Sequence, residues 1–175
     1  MALLLWQFWI YSFFGYLLEK GFAAATRSNN QVRKCFLFLP LCPVYGLGVL
    51  AVLALPPSVQ TNFWLLAVWG DVTATAVEYV VHWAYQELFD VRFWDYSSVW
   101  GNLRGRICIP FSAAWGLLLA VVLPAVHGAL DPLLAAVPVG VTYAVLLLFT
   151  ADAVISARIL QRTGDPAALQ LGAYA

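Results

Sequence analysis

Five long apolar stretches dominate the chain, and short polar or proline-containing segments separate them. A helix needs about 20 apolar residues to cross the hydrocarbon core of a bilayer. On that scale the pattern predicts five transmembrane helices, over residues 3–24, 37–55, 62–85, 109–126 and 133–155, the last continuing to about residue 161. The runs are too continuous for barrel strands, in which polar and apolar residues alternate. The sequence therefore predicts an all-α integral membrane protein.

Prolines predict where these helices stop. Pro56-Pro57 and Asp131-Pro132 predict short turns after the second and fourth spans, and Gly164-Asp165-Pro166 ends the last helix. We expect one transmembrane bundle over residues 1–162 and a short, disordered cytoplasmic tail over residues 163–175. The first stretch has no basic segment before it and no small-residue cleavage site after it, so we expect it to remain as a span.

The basic residues predict the orientation of the bundle. All of them fall at the same end of the predicted spans: Lys20, Arg27, Arg33, Lys34, Arg92, Arg104, Arg106, Arg158 and Arg162. The second and fourth predicted loops carry no Lys or Arg. Because cytoplasmic loops are enriched in basic residues, we expect a multi-pass membrane protein with its N-terminus outside and its C-terminus inside.

Composition supports a lipid environment. The chain is 63% hydrophobic and 10% charged, whereas soluble domains carry roughly a quarter charged residues. The formal net charge is zero, which gives no reason to expect a nucleic-acid partner. The odd set of Cys35, Cys42 and Cys108 contains no CxxC pair, so we expect reduced cysteines near the inner face.

Acidic residues inside the predicted spans are the first candidate site. Such residues cost about 2.5–3.5 kcal/mol each on insertion scales, so they face the bundle interior or water. On two of the spans, acidic residues share a helix face with other polar or small residues, because they recur three or four positions apart. These faces are Ser12, Gly15, Tyr16 and Glu19 on the first span, and Asp71, Thr75, Glu78 and His82 on the third. The fifth span carries Asp152, with Ser156 one turn later. We predict that Glu19 and Glu78 face the interior.

The loop between the third and fourth spans is the second candidate. Its aromatic residues Trp94, Tyr96 and Trp100 are typical of a membrane interface, and Asn102 and Gly105 are typical of a chain that turns back. The sequence therefore predicts an ordered interfacial or re-entrant cytoplasmic segment folded against the bundle.

Two arginines of this loop are predicted to contact carboxylates. Arg104 or Arg106 is expected to bind Glu19, Glu78 or Asp95 in bidentate fashion. Such a network could equally be structural, fixing the loop against the helices. The full candidate set for a polar site is Glu19, Asp71, Glu78, Tyr79, Trp94, Asp95, Tyr96, Asn102, Arg104 and Arg106.

Motifs for catalysis or metal binding are not evident. Glu78 and His82 could share a metal only with further ligands, which no HExxH motif or Cys pair supplies. His82 and His127 are expected at opposite ends of the membrane, which disfavours a His-based triad. No GxxxxGK[ST] loop is present. We expect no cofactor and no metal, and an enzymatic role is less favoured than a non-enzymatic one.

Several short motifs occur in a recognisable order between residues 11 and 116. They are Gly15-Tyr16 with Glu19, then CPVYGLG at 42–48, Glu78-Tyr79, Trp94-Asp95-Tyr96-Ser97, Asn102, Gly105-Arg106-Ile107-Cys108, Ser112 and Trp115-Gly116. In these motifs and their spacing the chain resembles the bacterial membrane proteins known as ABC-transporter type IV permeases. The resemblance implies a permease-like, multi-pass subunit of the bacterial inner membrane, and it carries no role over to Asp152.

Three functions are consistent with these patterns. The leading one is a permease-like transporter subunit that binds or passes a polar or amphiphilic solute and depends on a separate cytoplasmic ATPase subunit. The alternatives are a membrane enzyme acting on a lipid or polyprenyl-linked substrate at the inner leaflet, and a structural or assembly partner in a membrane complex. In the enzyme, Asp95, Glu78 and Glu19 would be acid/base groups and Arg104 and Arg106 would hold a phosphate. Whether the chain forms a homo-oligomer is left open.

Overall fold

A computed structural model of the protein describes residues 1–26 and 35–169. Its helices are α1 (Ala2–Ala25), α2 (Pro43–Leu53), α3 (Pro57–Gln60), α4 (Phe63–Leu65), α5 (Asp71–Phe89), α6 (Ile109–Ala135) and α7 (Val139–Thr163). A π-helical turn, Leu66–Gly70, joins α4 to α5, so that Phe63–Phe89 is one continuous helix. Strands β1 (Asn102–Leu103) and β2 (Ile107–Cys108) form an antiparallel hairpin, and Pro166–Leu169 is a 3-10 turn.

The long helices run alternately up and down. At one end, the start of α1 meets the C-terminal half of α6 and the start of α7, where Gln7 Nε2 donates to Asp131 Oδ1 over 2.7 Å and Trp6 Nε1 donates to Thr142 Oγ1 over 2.9 Å. At the other end, Phe22 of α1 packs edge-on against Phe111 at the start of α6. The hairpin lies at this second end, which we call the loop end; the first is the opposite end.

Three helices of the described residues are long and apolar enough to cross a membrane: Phe63–Phe89, Ile109–Ala135 and Val139–Thr163. The predicted third, fourth and fifth spans correspond to them, so the expectation of a helical fold with helices able to span a membrane is confirmed. Helix α1 covers the predicted first span. The count of five membrane crossings and the orientation remain predictions.

The predicted second span, residues 37–55, is wrong in its first six residues. Residues 35–42, which we call the strap, are not helical, and α2 begins only at Pro43. Pro40 and Pro43 interrupt helical hydrogen bonding, and the Asp152 carboxylate of α7 accepts the backbone amides of Phe38 (3.1 Å) and Leu39 (2.8 Å). With 11 residues, α2 is about 16 Å long, shorter than the hydrocarbon core.

A disulfide closes the strap. Cys35 and Cys42 are joined with their Cα atoms 4.8 Å apart, and both side chains are buried. The expectation of three reduced cysteines is therefore wrong for this pair, because the bent strap brings together two residues that a helix would have held apart. Cys108 is free and buried.

The turn predicted at Asp131-Pro132 is also wrong, because α6 continues through both residues to Ala135. Asp131 accepts a hydrogen bond from Gln7 of α1 and pairs with His127 one turn earlier, at 3.3 Å between His127 Nε2 and Asp131 Oδ2. These side-chain contacts hold the helix through Pro132, and the turn follows at residues 136–138.

The last helix ends where predicted, at Thr163, with Gly164 in the left-handed conformation. The chain then folds back onto the bundle. Leu169 is fully buried, in one cluster with Leu160 of α7 and with Val91 after α5. The expected disorder of the tail is therefore wrong for Pro166–Leu169, because an apolar side chain anchors this turn; residues 170–175 lie outside the described residues.

Candidate functional site

A cavity of about 140 Å³ lies between α1, α2, α5 and α6, and the loop after α5 covers one end of it. Its wall toward the opposite end is apolar and comes mainly from α6, through Leu119, Val122, Leu123 and Val126. Its wall at the loop end carries two carboxylates, Glu19 of α1 and Glu78 of α5, together with aromatic side chains. Glu19 and Glu78 thus face the bundle interior, as predicted.

The position of Glu19 depends on a close helix contact. At Gly15 of α1 a Cβ atom would overlap the Tyr45 ring of α2, so only glycine allows this ring to lie against the helix backbone. The Tyr45 hydroxyl then reaches Glu19, one turn along α1, and donates to its Oε1 over 2.7 Å. Tyr45 also packs edge-on against Trp115 of α6, with ring centroids 5.0 Å apart. Three helices therefore build the surroundings of this carboxylate.

Glu78 accepts a hydrogen bond from the loop. The Tyr96 hydroxyl donates to Glu78 Oε1 over 3.2 Å, and its ring stacks on Phe111 of α6 at 5.1 Å between centroids. Burial of Tyr96, and then the nearby negative charge of Glu78, raise the pKa of this phenol well above its ordinary value. The hydroxyl therefore stays protonated and remains a donor at physiological pH.

The loop that supplies Tyr96 is ordered, as the sequence predicts. Trp94 is 8% exposed; its Nε1 donates to the carbonyl oxygen of Arg106 over 2.9 Å, and its own carbonyl lies 3.0 Å from His82 Nε2. The Tyr96 amide donates to the carbonyl oxygen of Gly105 over 2.8 Å. Gly105 has a φ of +69°, and a Cβ there would lie 2.6 Å from Asp95 Oδ1, so the turn requires glycine.

Two other predicted site residues, Asp95 and Asn102, form hydrogen bonds within the loop. Asn102 Nδ2 donates to the carbonyl oxygen of Val99 over 2.9 Å, and its Oδ1 accepts the Gly105 amide over 3.1 Å. Asp95 accepts the hydroxyl and amide of Ser97, which hold the pKa of this carboxyl below its usual value, and it forms an exposed ion pair with Arg92 at 3.6 Å. Neither Asp95 nor Asn102 is among the residues that line the cavity.

The predicted pairing of Arg104 or Arg106 with a carboxylate is wrong for the described residues. Arg106 donates from Nε to Gln86 Oε1 and from Nη1 to the Tyr79 hydroxyl, both at 3.0 Å, and its guanidinium lies 5.0 Å from the Tyr79 ring centroid. Tyr79 follows Glu78 by one residue, which turns it about 100° around α5 and away from the cavity. Arg104 is exposed on the hairpin, with a φ of 55°.

The polar residues that share one face of α5 contact different parts of the protein. Asp71 accepts the Thr75 hydroxyl over 3.0 Å and packs near Gly116, where a Cβ would lie 2.7 Å from the Asp71 Cβ. His82 is buried against the loop. Of the polar residues on this face, only Glu78 lines the cavity within the described residues. In residues 1–26 and 35–169, no group of three or more His, Cys, Asp or Glu side chains is placed to hold a metal ion.

Sequence reasoning missed Tyr45 and Trp115 as site residues. Both lie in the motifs through which the chain resembles its family, and that placement was the signal that could have identified them. It also missed a polar network at the opposite end, where the Tyr11 hydroxyl lies 3.4 Å from His127 Nδ1 and Asp131 connects His127 to Gln7. His127 and His82 lie at opposite ends of the bundle, as expected.

Comparison with known proteins gives the family of the chain. The family model described as "Putative ABC-transporter type IV" matches residues 6–157 of the 175. No match was found among curated proteins or among solved structures. The matched region contains all the cavity-lining residues named above and the whole of the loop. Because the match covers most of the sequence and agrees with its apolar helices, this membrane protein belongs to the ABC-transporter type IV family.

Proposed function

We propose that the chain is the membrane-embedded, solute-binding subunit of a transporter. In this proposal it crosses the inner membrane five times with its N-terminus outside, and the loop end faces the cytoplasm. The observation that carries the proposal is the cavity between α1, α2, α5 and α6, in which two carboxylates face an otherwise apolar and aromatic space. A polar or amphiphilic solute would bind there, with the loop as its cytoplasmic cover.

The surroundings of Glu19 support binding rather than a purely structural role. Among the described residues its hydrogen-bond partner is a single tyrosine hydroxyl, and the side chain is only partly buried. Acids within membrane helices are costly unless paired, and they mark solute and ion pathways. A carboxylate on the wall of a cavity, bound through one oxygen, keeps acceptor capacity for a ligand.

The energy source would be a separate protein. The sequence contains no phosphate-binding loop of the GxxxxGK[ST] type, and its family is named for ABC-transporter components. We therefore propose a cytoplasmic ATPase partner at the loop end. The enzyme alternative is less well supported, because the described residues that line the cavity include no Arg or Lys to hold a phosphate.

Purification and transport assays test this proposal. The protein would be purified from its native membranes in a mild detergent, its ATPase partner identified by mass spectrometry, and the complex reconstituted in vesicles. We expect ATP-dependent movement of an amphiphilic solute, reduced by Glu19→Gln and unaffected by Glu87→Gln, a matched change on the exposed surface of α5. A folded protein with neither an ATPase partner nor any solute flux would overturn the proposal.

A further inference from the structure

The Glu19 carboxylate brings a negative charge to the cavity wall. Among the described residues that line the cavity there is no Lys, Arg or His side chain. The nearest basic neighbour in sequence, Lys20, is exposed, and its Nζ lies 6.0 Å from the Tyr16 ring centroid. Within the described residues no Lys or Arg pairs with Glu19. The Glu19 carboxylate would therefore repel an anionic head group placed beside it and attract a cation.

The aromatic side chains around the carboxylates favour the same sign of charge. Tyr45, Trp94, Tyr96 and Trp115 all line the loop end of the cavity. The negative faces of aromatic rings attract cations, and they attract quaternary ammonium groups most effectively where water is excluded. These rings would therefore complement a bulky ammonium head beside Glu19.

The cavity is elongated and becomes apolar away from this end. Along α1 its lining extends from Glu19 to Tyr11, a rise of about 12 Å, and along α6 from Trp115 to Val126, a rise of about 16 Å. The far wall consists of Val49 of α2 and aliphatic side chains of α6 between Leu119 and Val126. Such a space fits a hydrocarbon tail that lies along α6 with its polar head at the loop end.

We propose that the cavity binds an amphiphilic cation, with its ammonium head at Glu19 and its apolar tail along α6 toward Val126. This inference rests on the proposed solute-binding function and specifies the class of solute. It predicts both a preference for positive charge and a fixed direction of the bound molecule.

A photolabelling competition tests both features. The protein in lipid nanodiscs is labelled with a decyltrimethylammonium analogue that carries a diazirine at the end of its tail. Unlabelled decyltrimethylammonium, decanol and decanoate, which share a chain length but differ in charge, then compete. We expect the label on α6 near Leu123 and Val126, and we expect competition by decyltrimethylammonium at concentrations at least about tenfold below those of the other two.

Three variants complete the test. Glu19→Gln should weaken the binding of decyltrimethylammonium at least about tenfold. Glu87→Gln, an exposed control on α5, should leave this affinity unchanged. Val126→Trp fills the end of the cavity far from Glu19. It should therefore weaken the binding of decyltrimethylammonium but not that of the shorter hexyltrimethylammonium, and this test leaves both carboxylates unchanged. Melting temperatures of the variants show that each is folded.

The other outcomes separate the two proposals. If decanol or decanoate competes as well as the cation, or if Glu19→Gln leaves the preference unchanged in a folded protein, the inferred charge is wrong and the solute-binding site stands. If the label falls near Glu19 rather than on α6, the inferred direction is wrong. If none of the three amphiphiles prevents labelling, both the inferred cationic ligand and the proposed solute-binding site are wrong.

Discussion

Asp152 and Glu19 are both carboxylates of long helices, yet the structure uses them differently. Asp152 is 9% exposed and accepts three hydrogen bonds, from the amides of Phe38 and Leu39 and from the Ser156 hydroxyl. Within the part of the chain that the structure describes, Glu19 accepts one, from Tyr45, on the wall of a cavity. Asp152 is therefore structural because it satisfies backbone groups, whereas Glu19 keeps acceptor capacity toward the cavity in which we propose that a solute binds.

The largest effect is expected from Asp152→Ala. It removes the acceptor of two partly buried strap amides and of the buried Ser156 hydroxyl of α7, so the free energy of unfolding should fall by about 3 kcal/mol. Chemical unfolding in detergent micelles, followed by tryptophan fluorescence, measures this loss. Glu19→Ala is the matched control, with an expected loss of about 1 kcal/mol. Equal losses for the two variants would remove the distinction drawn between these carboxylates.

Reduction of the Cys35–Cys42 disulfide should act on the strap alone. The bond closes a short loop, and a loop of this length contributes about 2.5 kcal/mol to the stability of the folded state. Unfolding in the presence and absence of dithiothreitol measures the change. The double variant Cys35→Ser with Cys42→Ser should be insensitive to the reductant. A loss of amphiphile binding on reduction would show instead that strap and cavity are coupled.

Gly15→Ala tests the contact that places Tyr45 at the cavity. The added methyl group overlaps the Tyr45 ring, so we expect a loss of about 1.5 kcal/mol. Gly21→Ala in the same helix meets nothing within 4 Å and should be neutral or slightly stabilising, because alanine favours a helix. Thermal unfolding compares the two. If Gly15→Ala were as harmless as Gly21→Ala, α1 and α2 would not pack as closely as described.

Tyr45→Phe removes only the hydroxyl that binds Glu19. The expected loss of stability is about 1 kcal/mol, the usual size of one hydrogen bond. The aromatic ring remains, so an amphiphilic cation should still bind. Differential scanning fluorimetry with and without decyltrimethylammonium measures both quantities. Complete loss of binding in a folded variant would mean that the hydroxyl, and not the ring or the acid, holds the ligand.

The smallest effect concerns Asp95 in the exposed loop. Its pKa is held below the usual value by the Ser97 hydroxyl and amide. A carboxyl whose folded pKa is lowered contributes stability above its unfolded pKa, near 3.9, and loses that contribution as pH falls further through the folded pKa. We expect wild type and Asp95→Asn to differ slightly at pH 6 and to converge below about pH 4. A melting series over this range checks the prediction, and a constant difference would contradict it.

Local sequence patterns were sufficient to predict the helical class of the protein, most of its long helices and the inward direction of Glu19 and Glu78. Apolar runs of membrane length and the cost of lipid-facing charge are properties that each segment carries alone. It also predicted an ordered central loop, because interfacial aromatic residues, Asn102 and Gly105 act within a short stretch of chain. These local rules hold whatever the rest of the chain does.

The partners of these side chains could not be predicted from local patterns, because they come from distant parts of the chain. The Tyr45–Glu19 pair joins residues 26 positions apart, the Arg106–Tyr79 pair 27 apart, and Asp152 binds an amide 113 positions away. The strap is bent, although its composition is that of a span, because Asp152 satisfies amides that a helix would have bonded internally. Arg106 turns from the predicted carboxylates because Tyr79 and Gln86 lie on the face of α5 that the hairpin covers. Such choices depend on the packing of distant elements, which local propensity and the burial cost of single residues do not specify.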